Sequence, residues 1–199
     1  MRKVLLTIFL FLLININTAN SDNHKIEDYS LSDLAKVGDS LLNLVDEQMI
    51  LEQKKISFLK GLEYYDVLFE LDTNQYAQFY LKEGDKSYKI KALGIFVNMK
   101  IDECIDLKTE IRKEWDVQFA NQEFKSGSSP IVFDKSGKSM EHIDQYIFKD
   151  GAIAKIGCRE FSSEMKQLDN DQDDFSIFYE SANFTKWHKL HLIKLLSEG

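Results

Sequence analysis

Two cysteines carry the most definite chemistry of this sequence. Cys104 and Cys158 are its only cysteines, and neither belongs to a CxxC motif nor stands beside a histidine. A structural zinc site needs about four such ligands, so a lone pair makes a poor metal site. In an exported chain two cysteines most simply form a disulfide. That bond would close a loop of 55 residues, counted from 104 to 158. Two free buried thiols are the alternative.

The segment from Gly38 to Leu41 reads GDSL and resembles the short signature of the GDSL hydrolases. The resemblance implies a hydrolase with Ser40 as nucleophile and an Asp-x-x-His pair near the C-terminus as its base. No histidine of this chain has an aspartate three residues before it, and a serine without a base is a weak nucleophile. The same four residues suit a helix N-cap by Asp39 or Ser40, which is the interpretation we favour.

Acidic residues near the C-terminus imitate a calcium loop. Asp169, Asp171 and Asp173 alternate, and Glu180 follows eleven positions after Asp169. Calcium is bound by about six to eight oxygens, which alternate acids closed by a bidentate glutamate supply. The sixth position of such a loop is usually glycine because the chain turns sharply there, but here it is Asp174. We therefore expect an acidic, solvated turn, with a calcium-stabilised module as the alternative.

Two histidines lie three positions apart in a segment with helical periodicity, so His188 and His191 could face one ligand. Metal sites in proteins use about three or four donors. With Trp187 and several leucines around them, these histidines are expected to be packing and surface residues. The sequence therefore predicts no catalytic, cofactor-binding or metal-binding residue, and no cofactor.

The N-terminus predicts export. Arg2 and Lys3 precede an apolar run of 11 residues that is too short for a membrane span of about 20 residues. We predict a cleaved signal peptide over residues 1–21 and a single exported domain over residues 22–199, in the periplasm or outside the cell. Removal of Arg2 and Lys3 changes the formal charge from −8 to −10, and this acidic balance argues against nucleic acid and anionic membranes as partners.

The longest segment with helical periodicity contains Cys104. Over residues 101–120 the apolar positions cover a little under half of the helix circumference. These positions are Ile101, Cys104, Ile105, Leu107, Ile111, Trp115 and Phe119. Acidic residues in the first turn suit the positive end of the helix dipole. We predict a long amphipathic helix whose apolar stripe, including Cys104, lies on a sheet.

Alternation with a period of two predicts the strands of that sheet. The predicted strands are 65–71, 75–81, 87–97, 140–149, 152–161 and 175–180. Two further helices are predicted over 40–54 and 182–197. Residues 121–138 hold the only proline and two glycines, and they are predicted to form a long flexible loop.

The dipeptide Asp150-Gly151 predicts a two-residue hairpin turn. Such a turn places 149 opposite 152, so that Cys158 opposes Ile143 and Ile156 opposes Gln145. On this pairing Cys158 faces the same core as the long helix, and a disulfide would join helix to sheet. Gln145 is the polar misfit on that face.

Several segments together resemble small exported proteins of bacteria with AT-rich genomes. The matching pieces are GDSLL, IDEC on a helix, KSGKS, FKDG and a cysteine on a strand. The resemblance implies an exported compartment and no particular activity. We predict an α+β domain with an antiparallel sheet of about six strands, the 101–120 helix on one face and two peripheral helices. Its predicted role is non-enzymatic binding of a protein partner or small ligand.

Overall fold

A computed structural model of the chain describes most of the predicted exported domain. The described residues are 30–31, 34–57, 59, 61–168 and 172–198, with only the backbone described for 30–31 and 192–198. The predicted signal peptide lies outside them. Among the described residues no helix combines the length and apolar character that a membrane span requires.

Four α-helices and nine strands make up the described chain. The helices are α1 (Glu47–Ile56), α2 (Ile101–Gln118), α3 (Ser163–Leu168) and α4 (Ala182–Glu198). The strands are β1 (Ser30–Leu31), β2 (Ala35–Lys36), β3 (Tyr64–Asp72), β4 (Gln75–Lys82), β5 (Ile90–Asn98), β6 (Glu123–Pro130), β7 (Met140–Ile147), β8 (Ile153–Glu160) and β9 (Asp174–Glu180). A 3-10 turn at Leu41–Asn43 precedes α1.

The main sheet has seven strands in the order β3-β4-β5-β9-β8-β7-β6, and every neighbouring pair is antiparallel. Two meanders, β3-β4-β5 and β6-β7-β8, lie side by side with β9 between them. The predicted α+β class with a large antiparallel sheet is confirmed, but the sheet is larger than the six strands expected.

The additional strand is β6, which falls in the predicted 121–138 loop. Its sequence EFKSGSSP is polar on both faces, and all of its side chains except Phe124 are exposed. An edge strand that neither face buries has no apolar alternation to reveal it. The rest of that predicted loop is a compact turn in which the Asp134 carboxylate accepts backbone and hydroxyl hydrogen bonds from Ser136 and Ser139.

The core lies between α2 and the middle of the sheet. Cys104, Leu107, Ile111 and Trp115 of α2 are buried. The indole of Trp115 contacts aromatic rings of β7 and β9. We call this side of the sheet the inner face. Burial of about four such side chains is worth several kcal/mol to folding.

The two cysteines meet across this core. The structure brings the sulfurs of Cys104 and Cys158 to bonding distance, with 5.9 Å between the two Cα atoms. Both side chains are fully buried. The bond joins the first turn of α2 to β8, a central strand, so it ties together elements 54 residues apart in the chain.

The β7-β8 register is shifted by one residue from the predicted one. His142, rather than Ile143, opposes Cys158, and Asp144 opposes Ile156. The reason is the turn, which has three residues rather than two: Phe148 pairs with Ala152, and Gly151 adopts a φ of +92°. A three-residue loop with glycine in the left-handed position is the next most common hairpin type.

This shift changes which polar side chain lies in the core. Gln145 faces away from α2, and Asp144 is the buried polar residue of β7, with 1% of its surface exposed. Its carboxylate accepts a hydrogen bond from Ser126 and lies 3.2 Å from the Lys108 ammonium of α2. A buried carboxylate with these partners is satisfied.

Ser40, one of the two predicted N-cap residues, takes the N-cap position of the 3-10 turn at Leu41–Asn43 and not that of a long helix. The cap of α1 is Asp46, whose carboxylate accepts the Met49 N–H. Leu41–Asn43 form this 3-10 turn, and the Ser40 hydroxyl makes no hydrogen bond that caps it. The apolar spacing around Leu41 predicts one continuous helix. The chain instead forms a 3-10 turn followed by a separate α-helix, and this break allows both Leu41 and Ile50 to be fully buried.

Replacing both cysteines by alanine should lower the free energy of unfolding by about 4 kcal/mol, because the unfolded chain loses a closed loop of this length. Denaturant unfolding of the oxidised protein measures the change. Either single variant should lose nearly as much as the double variant, since each removes the same bond. Additive single effects, or a double variant as stable as the parent, would contradict a joined pair.

Candidate ligand-binding face

The side of the sheet opposite α2, which we call the outer face, carries an unusual mixture of rings, charges and small residues. The side chains that alternate away from α2 include Tyr76, Gln78 and Tyr80 on β4, Gly94 and Phe96 on β5, Ser176 and Phe178 on β9, Lys155, Gly157 and Arg159 on β8, and Ile143 and Ile147 on β7. Antiparallel sheets commonly leave one face to water, yet this one is not simply polar.

One end of the outer face is covered by α4. Phe184 of that helix is buried against Tyr64 and Tyr80, with ring centroids 5.3 and 4.7 Å apart. Trp187 lies 5.0 Å from the same Tyr64 ring. These contacts form a second, smaller apolar cluster and hold the closing helix on the sheet.

Beyond α4 the outer face is partly exposed. The strand register aligns four residues in one row across the sheet: Phe96, Ser176, Gly157 and Ile143. We call this the Gly157 row. Its two central members are small, while Phe96 and Ile143 at its ends are large and partly exposed. The row therefore places two small, buried residues between two larger apolar side chains.

The Gly157 position has room for a side chain. A Cβ built there would lie 3.4 Å from the Ser176 hydroxyl and 3.7 Å from Ile143, which are ordinary contacts. Gly94 differs, because a Cβ there would lie 2.5 Å from the Phe178 ring. The Phe178 ring therefore fills the space above Gly94.

Two cations flank Gly157 along β8, and each rests on a phenylalanine ring. The Lys155 ammonium lies 5.0 Å from the Phe178 centroid, and the Arg159 guanidinium lies 4.8 Å from that of Phe96. The edge of the Phe96 ring in turn contacts Phe178 at 5.1 Å. Such cation–π contacts are worth about 0.5–2 kcal/mol depending on exposure.

Each cation is also paired with a buried acid of β9. Lys155 lies 2.7 Å from Glu180, and Arg159 makes a two-point contact with Asp174 at 2.9 and 2.5 Å. About a quarter of each cation's side chain stays exposed, whereas the acids are almost fully covered. The paired acids and the phenylalanine rings therefore fix the position of both cations, and the exposed quarter of each side chain faces solvent.

The two acids differ in their proton affinity. For Glu180 burial acts to raise the pKa, but the charge of Lys155 and a hydrogen bond from His188 outweigh it, so the pKa lies well below its usual range. For Asp174 burial outweighs the Arg159 contact, and its pKa is raised. Glu180 is thus the firmly ionised centre of this end of the face, and it also accepts a hydrogen bond from Thr185.

The histidines of α4 have separate partners rather than one shared ligand. His188 Nδ1 lies 3.5 Å from the Glu180 carboxylate, whereas the His191 ring stacks on Trp187 at 5.1 Å. Of the predicted calcium loop, Asp169 and Asp171 lie outside the described residues. Asp173 pairs with Lys166 and accepts the Phe161 N–H.

Ser40 has structural partners at the start of β5. Its hydroxyl donates to the Ser87 carbonyl at 2.8 Å, and its backbone bridges to Lys89. No hydrogen bond to a histidine is recorded for it among the described residues. The motif therefore acts here as a link between the chain before α1 and the start of β5.

A different serine comes closer to a catalytic arrangement. Ser128 on β6 contacts His142 Nδ1 of β7 at 2.8 Å. The neighbouring acid, Asp144, is directed instead to Ser126 and Lys108. A serine–histidine pair whose histidine is not oriented by an acid lacks the third member of a triad. Sequence analysis missed this pair because β6 was expected to be a loop.

Comparison with known protein families, with curated proteins and with solved structures finds no match to this chain. Within the described residues no group of three or more histidine, cysteine, aspartate or glutamate side chains is arranged to hold a metal ion. The role of the outer face is therefore argued from its own residues.

Glu180→Gln should lower the free energy of unfolding at pH 7 by about 2–3 kcal/mol, because Lys155 would lose its counter-charge. The folded-state pKa of Glu180 lies below the value of about 4.3 in an unfolded chain. The carboxylate therefore stabilises the fold above that pH, and the stabilisation is lost as the pH falls further.

Denaturant unfolding at pH 7, 5 and 3 measures this effect. The gap between the parent and Glu180→Gln should be constant down to pH 5 and narrow at pH 3. Glu123→Gln is the matched control, because Glu123 forms an exposed pair with Lys125 and should contribute less than about 1 kcal/mol. A gap that stays constant to pH 3 would show that Glu180 does not titrate as described.

Proposed function

We propose that this protein is an exported, non-enzymatic domain that binds a small amphipathic ligand on its outer face. The observation that carries the proposal is the Gly157 row, in which Gly157 and Ser176 lie between Phe96 and Ile143. Ligand sites are usually concave, mostly apolar and provided with a few fixed polar groups. The small residues between two larger apolar ones, with Lys155 and Arg159 on either side along β8, support such a site beyond the end covered by α4.

The dimensions suit one flat apolar group. Phe96 and Ile143 are separated by three strand spacings, about 14 Å between backbones. After allowance for their side chains, the gap over Gly157 and Ser176 matches the width of a single aromatic ring or an acyl segment. The Phe96 ring and the Ile143 side chain then provide the apolar contacts.

The polar contacts come from β8. Lys155 and Arg159 are four residues apart, about 13 Å along the strand, with Gly157 midway. Their pairing with Glu180 and Asp174 and their stacking on rings limit their motion before any ligand arrives, which lowers the entropic cost of binding. A carboxylate or sulfonate on the ligand suits the exposed part of either cation. The ligand class is therefore an apolar or aromatic body with one acidic group.

Export is supported by the N-terminal pattern and by the cysteine pair at bonding distance. Disulfides form and persist outside the reducing cytosol. A protein partner is the alternative to a small ligand.

Mass spectrometry of the protein recovered from its host compartment tests export. We expect a chain beginning at Asp22 and lighter than the reduced form by the two thiol hydrogens. A chain that retains Met1 and carries two thiols would contradict export.

Gly157→Leu should weaken ligand binding by at least about tenfold, because its side chain would stand over the row, where the ligand is proposed to lie. The probe is 1-anilinonaphthalene-8-sulfonate, an aromatic anion of the proposed class, titrated by fluorescence against the folded protein. Gly157 does not have a positive φ and a Cβ meets ordinary contacts there, so the variant should fold, and its melting temperature checks this.

Gly127→Leu is the matched control. It makes the same substitution in the next strand beyond Ile143, where a Cβ has nothing within 4 Å. It should bind the probe like the parent. No probe binding by the parent, or the same affinity in Gly157→Leu, would contradict the proposed site.

A further inference from the structure

Among the described residues, no other strand pairs with the outer edge of β6. This strand is the terminal one in the order of the main sheet, and its eight residues pair with β7 in one continuous register. Edge strands are usually shortened, bulged or rich in lysine, since their free backbone groups invite another strand. Here a single lysine and the terminal Pro130 are the only such features.

The direction of its backbone groups follows from the turn after it. The Ile131 N–H donates to the Ser139 carbonyl, so odd-numbered residues of β6 bond to β7. In an antiparallel ladder the bonding direction alternates from residue to residue. The N–H groups of Phe124, Ser126 and Ser128 therefore point away from the sheet, and the carbonyls of these residues point the same way.

We infer that this edge pairs with the same edge of a second copy of the chain, in antiparallel orientation about a two-fold axis perpendicular to the sheet. Such an axis keeps each residue on its own face, so outward-bonding even residues must pair with even residues. The central register places Ser126 opposite Ser126 of the second copy. Phe124 then faces Ser128 of the second copy, and the six outward N–H groups of the two strands find acceptors.

The side chains of β6 complement themselves in this register. The first half of the strand has large side chains, Glu123, Phe124 and Lys125, and the second half has small ones, Gly127 to Ser129. Antiparallel pairing sets each large side chain opposite a small one: Lys125 meets Gly127 of the second copy. No two like charges are directly opposite, and each Lys125 keeps its own Glu123 at 2.9 Å. An unrelated strand would have no reason to match this order.

This interaction is separate from ligand binding and does not depend on it. The pairing would extend the two sheets into one and leave both outer faces on the same side. Each Gly157 row ends at Ile143 on β7, next to β6, and its small residues lie on β8 and β9, so the pairing at the edge of β6 would not cover them.

Two variants of opposite charge at position 127 test both that the partner is a second copy and that the strands pair in this register. Gly127 faces Lys125 of the second copy, and a side chain at 127 has free space in the single chain. Gly127→Lys should weaken the dimer and Gly127→Glu should strengthen it, with dissociation constants about tenfold apart, since the two-fold axis makes each contact twice. Sedimentation velocity of the full exported chain over a concentration series is the measurement.

Variants at Ser128 test whether its backbone N–H donates a hydrogen bond to the second copy. Proline is tolerated on an edge strand where its missing N–H faces solvent, so Ser128→Pro should fold, keep its melting temperature within a few degrees and be monomeric. Ser128→Ala keeps the N–H and loses only the hydroxyl contact with His142, and it should dimerise like the parent. A parent that is monomeric at every concentration, or a dimer that responds equally to lysine and glutamate at 127, would overturn the inference.

Discussion

The burial of one stripe of α2 on the middle of the sheet determines what the rest of the chain must do. Cys104 lies on β8 and Trp115 on β9, and these are the strands that bring the two meanders together. The apolar surface of α2 is committed to the inner face, and α4 covers one end of the opposite face. The remaining outer face has to satisfy its own buried groups.

The outer face satisfies these groups with cations that pair with acids and stack on aromatic rings. Glu180 and Asp174 are buried on β9 and would be costly as isolated ions. Each has a cation of β8 within hydrogen-bond distance, and each cation covers a phenylalanine ring. A face built in this way has little freedom to rearrange, which suits the proposed binding surface.

Sequence patterns predicted elements whose side chains have one buried and one exposed side. The period of 3.6 revealed α2, and the period of two revealed six strands to within a few residues. The β7-β8 register failed by one because Asp150-Gly151 fits two turn types that differ by a residue. The Gly157 row was not predictable, because it joins residues of four strands whose order depends on long-range pairing rather than on local spacing.

The failure at β6 has a different cause and a structural meaning. Arg112 of α2 lies over the Phe124 ring of β6, and α4 lies at the other half of the sheet. With neither face buried, selection for an apolar alternation is absent, so the strand looked like a loop. The same lack of cover leaves three backbone donors and their neighbouring acceptors facing outward. In a sheet of seven strands these groups are satisfied by water or by another strand, and the order of large and small side chains along β6 favours a copy of itself.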